Sequence, residues 1–288
     1  MVQKSVLITG SSEGGIGDAL AKAFHRKGLR VFATARDLAK VQHLKDMGLN
    51  IVQLDVANNA LIKQAVETVK AATGGTLDIL VNNSGGGYSV PLLDSDVSVA
   101  KKMFDVNVFG LVAVTQAFAP LLTALKGTIV NIGSVLGHAP FPWSGYYNAS
   151  KAVANLLTDQ MRIELSPWGV KAILVVTGVV KTKFFDNLPD TPCLPHTSLY
   201  YDAKDEIEPV MAGAEIEKDG IDVDIYAEAV VSNALKSNPK KHQWVGGSAF
   251  TIWSVSTFGW STIWDLLLPS LVKLLTVIKK IYAARKLE

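Results

Sequence analysis

The chain has 288 residues, 49% hydrophobic and 19% charged, enough to bury the core of one large α/β domain or two small ones. Its net charge of +2, with no long basic run, argues against a nucleic-acid partner. Cys193 is the only cysteine, which excludes a disulfide framework and a thiolate metal cluster and fits a reducing, intracellular compartment. No other His/Asp/Glu cluster has metal-ligand spacing. The first apolar run begins by Val6, leaving no room ahead of it for a signal or transit peptide.

Short β-branched or apolar runs predict strands at 5–9, 30–34, 51–54, 77–81, 128–132 and 171–176. Periodic stretches at 18–27, 58–72, 97–125 and 146–166 predict the helices between them. Several strands lack in/out alternation, which implies burial on both faces. Such alternation of strand and helix gives a Rossmann-like, doubly wound parallel sheet, with ligands beyond the carboxyl ends of the strands. A single domain is expected up to about Val245, followed by an apolar extension over 246–288.

The loop Thr9-Gly10-Ser11-Ser12-Glu13-Gly14-Gly15-Ile16-Gly17 follows the first strand and opens the first helix. Glycines there allow a tight turn and let a pyrophosphate approach backbone N–H groups at a helix N-terminus. At the end of the second strand, where a carboxylate would bond a ribose 2′-hydroxyl, stand Ala35 and then Arg36. A guanidinium can fork onto a 2′-phosphate, so NADPH is the expected cofactor, with Asp37 capping the next helix. Asp55-Val56 either bonds near an adenine or caps a helix. Asn82-Asn83-Ser84-Gly85 either passes close to the cofactor or braces the central strand.

Tyr147 and Lys151 are one helical turn apart, with Ser134 upstream. On one helix face the ammonium favours the phenolate and should lower the phenol from its usual pKa of about 10. A phenol tuned this way can hand a proton to a carbonyl oxygen as hydride reaches carbon.

Together the glycine loop, Asp55, Asn82-Asn83-Ser84-Gly85, Asn107, Ser134, Tyr147 and Lys151 resemble the short-chain dehydrogenase/reductase family over about residues 4–182. The resemblance implies that Tyr147 is the general acid or base, Ser134 bonds the substrate oxygen, and Lys151 binds the nicotinamide ribose and lowers the tyrosine pKa. It gives Asn107 a water in a proton relay to Lys151. It places the cofactor along Gly10, Ser12, Gly15, Ile16 and Gly17, then Arg36, Asp55 and Val56. Asn83, Ser84 and Gly85 follow, with Gly178, Val180 and Thr182 completing the site. Three departures bear on loop geometry and leave the catalytic groups intact: one extra residue in the glycine loop, Ser84 for the usual alanine, and Thr177-Gly178 for Pro-Gly. His138 reads as a solvated loop histidine.

The family's substrate lid corresponds to residues 183–224, which carry Pro189, Pro192, Pro195 and Pro209. In the tail, Phe250, Trp253, Thr257, Trp260, Trp264, Leu267, Leu271 and Leu274 recur at helical steps, with Gly259 and Pro269 as interruptions. Lys273, Lys279, Lys280, Arg285 and Lys286 add positive charge. This composition suits either a membrane-surface helix or a tail packed on its own domain, on a partner subunit or at the substrate entrance. The tail and the extended glycine loop are similar to the fungal branch that includes NADPH-dependent 1-acyldihydroxyacetone-phosphate reductase. That likeness implies an apolar or acyl-bearing ketone as substrate and a site at the endoplasmic reticulum or lipid droplets. A soluble secondary-metabolite ketoreductase, or a scaffold that binds cofactor without turnover, are the alternatives. The long apolar helices resemble those that pair subunits in the family, implying a homodimer or homotetramer.

Overall fold

Val6 and Ile8 point to one face of a central sheet and Leu7 to the other, and all three are fully buried. A strand that is apolar on both faces needs cover on both. The computed structural model describes residues 3–184, 193–213 and 217–285. Of the residues named above, Pro189, Pro192 and Lys286 lie outside these. The strands are β1 (Ser5–Ile8), β2 (Arg30–Ala35), β3 (Asn50–Gln53), β4 (Ile79–Asn82), β5 (Thr128–Ile132), β6 (Lys171–Thr177) and β7 (His242–Val245). They pair in parallel in the order β3-β2-β1-β4-β5-β6-β7. The order reverses between β1 and β4, where Ile8 lies level with Val81, so the crevice for a ligand opens at their carboxyl ends.

The helices are α1 (Ile16–Arg26), α2 (Gln42–Asp46), α3 (Asn59–Thr73), α4 (Val97–Phe104), α5 (Leu111–Leu125), α6 (Gly145–Glu164), α7 (Lys204–Met211) and α8 (Val223–Ala234). One sheet face is covered by α1, α2 and α8 through Leu20, Phe24, Leu44, Tyr226 and Val230. The other is covered by α3 and α5 through Ile62, Val69, Val114, Phe118 and Leu122. The expected 97–125 helix is interrupted by a π-helical turn, Asp105–Gly110. Gly110 sits so close to Val56 that a Cβ there would stand 2.7 Å from Val56 Cγ2. The widened turn directs Asn107 inward. Strand β7 was not predicted because Lys240-Lys241-His242-Gln243 offers no apolar run and the strand is only half-buried at the sheet edge.

The tail forms α9 (Ala249–Phe258), α10 (Ile263–Leu271) and α11 (Leu274–Arg285). Gly259 ends α9 as expected, whereas Pro269 lies inside α10 and the second break falls at Val272–Lys273, with Lys273 at φ 52°. The stripe read from the sequence is therefore divided among three helices. Trp264 and Leu268 of α10 pack with Ala139 and Phe141. Val277 of α11 packs with Leu194, Ala203, Ile207 and Met211, and Lys280 pairs with Glu206 of α7 at 2.5 Å.

Candidate active site

The carboxyl ends of β5 and β6 and the first turns of α6 bring Ser134, Tyr147 and Lys151 together. Ser134 is buried, caps the short turn after β5, and accepts the Leu136 N–H at 3.1 Å. Lys151 Nζ lies 5.9 Å from the Tyr147 ring centroid and donates to the Ile132 carbonyl at 3.0 Å. Tyr147 keeps some surface exposure, yet the protein packed around the phenol pushes its pKa up to about 12, against a weaker downward pull from the Ser134 hydroxyl. The direction is opposite to the lowered phenol pKa expected from the sequence, and burial of the phenol is its cause. The same burial pulls Lys151 down to about 8.

Asn107 is buried behind this group. Its Oδ1 accepts the Gly86 N–H at 2.8 Å, and its Nδ2 donates to the Gly86 carbonyl and to Ser150 Oγ, each at 3.0 Å. A Cβ on Gly85 would stand 3.3 Å from Asn107 Oδ1 and 3.5 Å from Lys151 Nζ. Glycine at that position keeps the space over Lys151 open.

Thr9 and Asn83 tie the glycine loop to β4. Thr9 Oγ1 accepts the N–H groups of Asn83 and Ser84 at 2.9 Å, while Asn83 Nδ2 donates to the carbonyls of Thr9 and Gly10. Asn82 Nδ2 donates to Thr115 and Asn131, so these asparagines do brace the central strands. Gly10, at φ +72°, lets the loop pass Ser84, whose Oγ would otherwise lie 2.8 Å from a Cβ. Gly17 meets the Gly10 carbonyl so closely that a Cβ would come within 2.2 Å of that oxygen. Gly15 caps α1, Ile16 opens it, and the Ser12 carbonyl accepts the Gly15 N–H.

Arg36 is exposed at the end of β2, and Asp37 caps the next turn by accepting the Ala39 N–H at 3.0 Å, as expected. Asp55 accepts the Ala57 N–H in a local turn, while the cap of α3 is Asn58. Gly178 packs against Gly247, Val180 bridges to Ile221, and Thr182 Oγ1 accepts the Phe184 N–H. The Thr177 hydroxyl pairs at 2.7 Å with the fully buried Tyr226 hydroxyl, a bond that a proline at 177 could not make. The strand ends thus bring Ser134, Tyr147 and Lys151 together with Asn107 behind them, and tie the glycine loop to the end of β4.

The geometry matches a large group of known proteins. The model of the short chain dehydrogenase family matches residues 4–192. The chain belongs to this family. A short-chain dehydrogenase of Penicillium ochrochloron, ptmH, is 43% identical over 236 residues, covering 82% of this chain and 86% of its own. An NADPH-dependent 1-acyldihydroxyacetone phosphate reductase of Schizosaccharomyces pombe is 40% identical over 202 residues, covering 69% and 68%. Among solved structures, a short chain dehydrogenase of Burkholderia cenocepacia in complex with NADP is 26% identical, with a TM-score of 0.67, covering 88% of this chain and 94% of that one. Short-chain dehydrogenases are oxidoreductases whose fold binds NAD(P). The cradle in this chain fits such a dinucleotide, because side chains at Gly10, Gly17 or Gly85 would fill it or distort it.

Sequence reasoning missed several residues of this dehydrogenase. Asn155, one turn beyond Lys151, donates to the Ser134 carbonyl at 3.3 Å and fills the hollow left by Gly133 and Gly137. A polar residue on the buried face of α6 was the available signal. Ser150 connects Asn107 to the Tyr147 carbonyl. His138 is not a solvated loop residue: it is half-buried with its ring 4.8 Å from Trp244, and burial, aided by His242, holds its pKa down.

Proposed function

We propose that this protein is an NADPH-dependent ketoreductase for an apolar or acyl-bearing carbonyl compound, with the tail helices walling its substrate side. The observation that carries the reading is the convergence of Ser134, Tyr147 and Lys151, with a phenol that keeps its proton at neutral pH. A bound nicotinamide would supply the hydride. Tyr147 Oη gives its proton to the carbonyl oxygen as negative charge develops there, and the Ser134 hydroxyl donates to the same oxygen. The charge on Lys151 offsets the phenolate left behind. Asn107 positions Gly85 and Gly86, and a remaining Oδ1 lone pair, on the Gly85 side, can hold a water that leads toward Lys151.

Exposed Arg36, buried Ala35 in place of a carboxylate, and Asp37 engaged as a cap favour NADPH over NADH. The roles of Gly10, Ser12, Gly15, Ile16 and Gly17 in cradling the diphosphate, and of Gly178, Val180 and Thr182 near the nicotinamide, belong to the same proposal. The substrate class rests on the packing of α10 against Ala139 and Phe141, a few residues beyond Ser134. Phe141 also lines, with Leu92, Trp143 and Tyr200, an apolar cleft of about 350 Å³ beside the start of α6. This favours the reading in which the tail serves an apolar substrate, whether an acyl ketone phosphate or a polycyclic or polyketide ketone.

The tail also suits a second contact. Phe250, Phe258, Trp260, Leu266 and Leu271 are each exposed along it, with exposed Lys273 following, a composition suited to an anionic lipid surface such as that of the endoplasmic reticulum or a lipid droplet. Liposome flotation tests it, and protein left wholly in the soluble fraction rejects it. Val153, Leu156 and Ile163 form an exposed apolar stripe on α6 and suit a homodimer or homotetramer.

The deciding experiment is Tyr147→Phe, assayed by NADPH consumption with a panel of acyl-dihydroxyacetone phosphates, steroids and cyclic diketones. Turnover should fall by about 10²- to 10⁴-fold with cofactor affinity retained. Unchanged turnover removes Tyr147 from the chemistry. If the unmutated protein binds cofactor but turns over no ketone, the scaffold reading gains.

A further inference from the structure

Tyr147, Lys151 and Asn155 follow one another at four-residue steps along one face of α6. Each meets the end of β5 at a different point. The Tyr147 phenol interacts with the Ser134 hydroxyl, Lys151 Nζ donates to the Ile132 carbonyl at 3.0 Å, and Asn155 Nδ2 donates to the Ser134 carbonyl at 3.3 Å. The first two contacts belong to the catalytic group. The third holds the backbone of the residue whose hydroxyl faces the substrate.

Asn155 is 5% exposed, and its amide lies between two glycines of the segment that carries Ser134. A Cβ on Gly133 would stand 2.3 Å from Asn155 Oδ1, and one on Gly137 would stand 2.4 Å from Nδ2. Neither glycine has a left-handed φ, so crowding, with the amide nearest, is what excludes a side chain at both. The Ser134 carbonyl faces Nδ2, which leaves Oδ1 buried with no hydrogen-bond partner among the described residues. An amide half-satisfied in the interior destabilises a fold relative to a leucine of similar size. Packing alone would therefore favour an apolar residue at 155, and the N–H donor is what the amide adds. Ser134 itself is extended, at φ −152° and ψ 150°, and opens a tight turn. Its Oγ accepts the Leu136 N–H and its carbonyl accepts the Gly137 N–H, each at 3.1 Å. Those bonds close the turn on itself, whereas the Asn155 amide ties it to the helix that bears Tyr147 and Lys151.

We propose that Asn155 is a positioning residue for the reaction: it holds the Ser134 peptide on α6, so that the Ser134 hydroxyl and the Tyr147 phenol address one substrate oxygen from a fixed separation. Asn155 acts through Ser134 alone. The assignment rests on the ketoreductase reading, in which both hydroxyls bond the carbonyl oxygen.

A double-mutant cycle on the full-length protein tests it, with NADPH and a cyclic diketone accepted from the panel, phenanthrenequinone first. The rate read is hydride transfer in a single turnover, followed as loss of NADPH absorbance. Asn155→Leu removes the amide and keeps its volume. It should slow the step about ten- to a hundredfold, the scale of a misplaced catalytic group, with NADPH affinity unchanged. Ser134→Ala alone should slow it by about 10²- to 10³-fold, and adding Asn155→Leu to that variant should slow it no further. Equal slowing by Asn155→Leu in both backgrounds overturns the proposal, because a packing defect acts without Ser134. An unchanged rate in Asn155→Leu overturns it as well. Should Asn155→Leu fail to fold, Asn155→Ala takes its place in the same cycle. An undiminished rate in Ser134→Ala, or no turnover of any ketone of the panel by the unmutated protein, instead rejects the ketoreductase reading and this assignment with it.

Discussion

Lys151 Nζ donates to the carbonyl of Ile132 at 3.0 Å, which fastens the cation on α6 to the last residue of β5. Its position is thus set by a strand end and does not depend on Tyr147. Burial lowers its pKa from 10.5 to about 8, so at neutral pH the folded protein carries a charge that it poorly solvates.

The sign of the resulting pH dependence follows from linkage. Between pH 8 and 10.5 the unfolded lysine is protonated while the folded one has lost its proton, so stability rises with pH across that window. Below it the cost is fully present. Relative to Lys151→Met, the protein should therefore gain up to roughly 3 kcal/mol between these limits, on the scale of 1.4 kcal/mol per pKa unit. Urea denaturation of both proteins without cofactor measures this. A difference that stays flat with pH shows that Lys151 is not desolvated.

Arg36 gives a prediction on cofactor choice. It is exposed at the end of β2, and the neighbouring carboxylate of Asp37 is occupied with the Ala39 N–H. Arg36→Ala should weaken NADPH by roughly ten- to a hundredfold, as expected for loss of a charge-assisted bidentate contact, and change NADH by no more than about twofold. Fluorescence titration with both dinucleotides measures the ratio. Equal losses reject Arg36 as the reader of the 2′-phosphate.

The sheet was legible because its strands are apolar on both faces, as Val6, Leu7 and Ile8 are, and because turn residues bound them. Residues grouped by local spacing, such as Tyr147 with Lys151, could likewise be placed on one helix face. What stayed hidden depends on contacts distant in sequence. Nothing near Tyr147 announces that the packing around it raises the phenol pKa, because desolvation is a property of the assembled site. The partnership of Asn155 with Ser134, and of Lys183 with Gly14, spans segments brought together only by the fold. The tail was legible in part. Gly259 ends α9 as its sequence implied, but Pro269 is accommodated inside α10 and the second break falls at the left-handed Lys273, so the stripe is shared among helices that face different neighbours.

That division makes the tail's role measurable. Trp264 is 8% exposed and packs with Ala139 and Phe141, whereas Trp260, one turn earlier in sequence, is 60% exposed. If α10 shapes the substrate side, Trp264→Ala opens a hollow behind Phe141 and acts on the ketone without touching the dinucleotide. The KM for an accepted ketone should rise on the order of tenfold, the scale of a lost apolar pocket contact, with the KM for NADPH nearly unchanged. Trp260→Ala serves as the control and should leave both constants near those of the unmutated protein. Steady-state kinetics on the two variants decides the matter. A ketone KM that responds equally to both substitutions, or to neither, separates the tail from substrate recognition and leaves its exposed face as the part to explain.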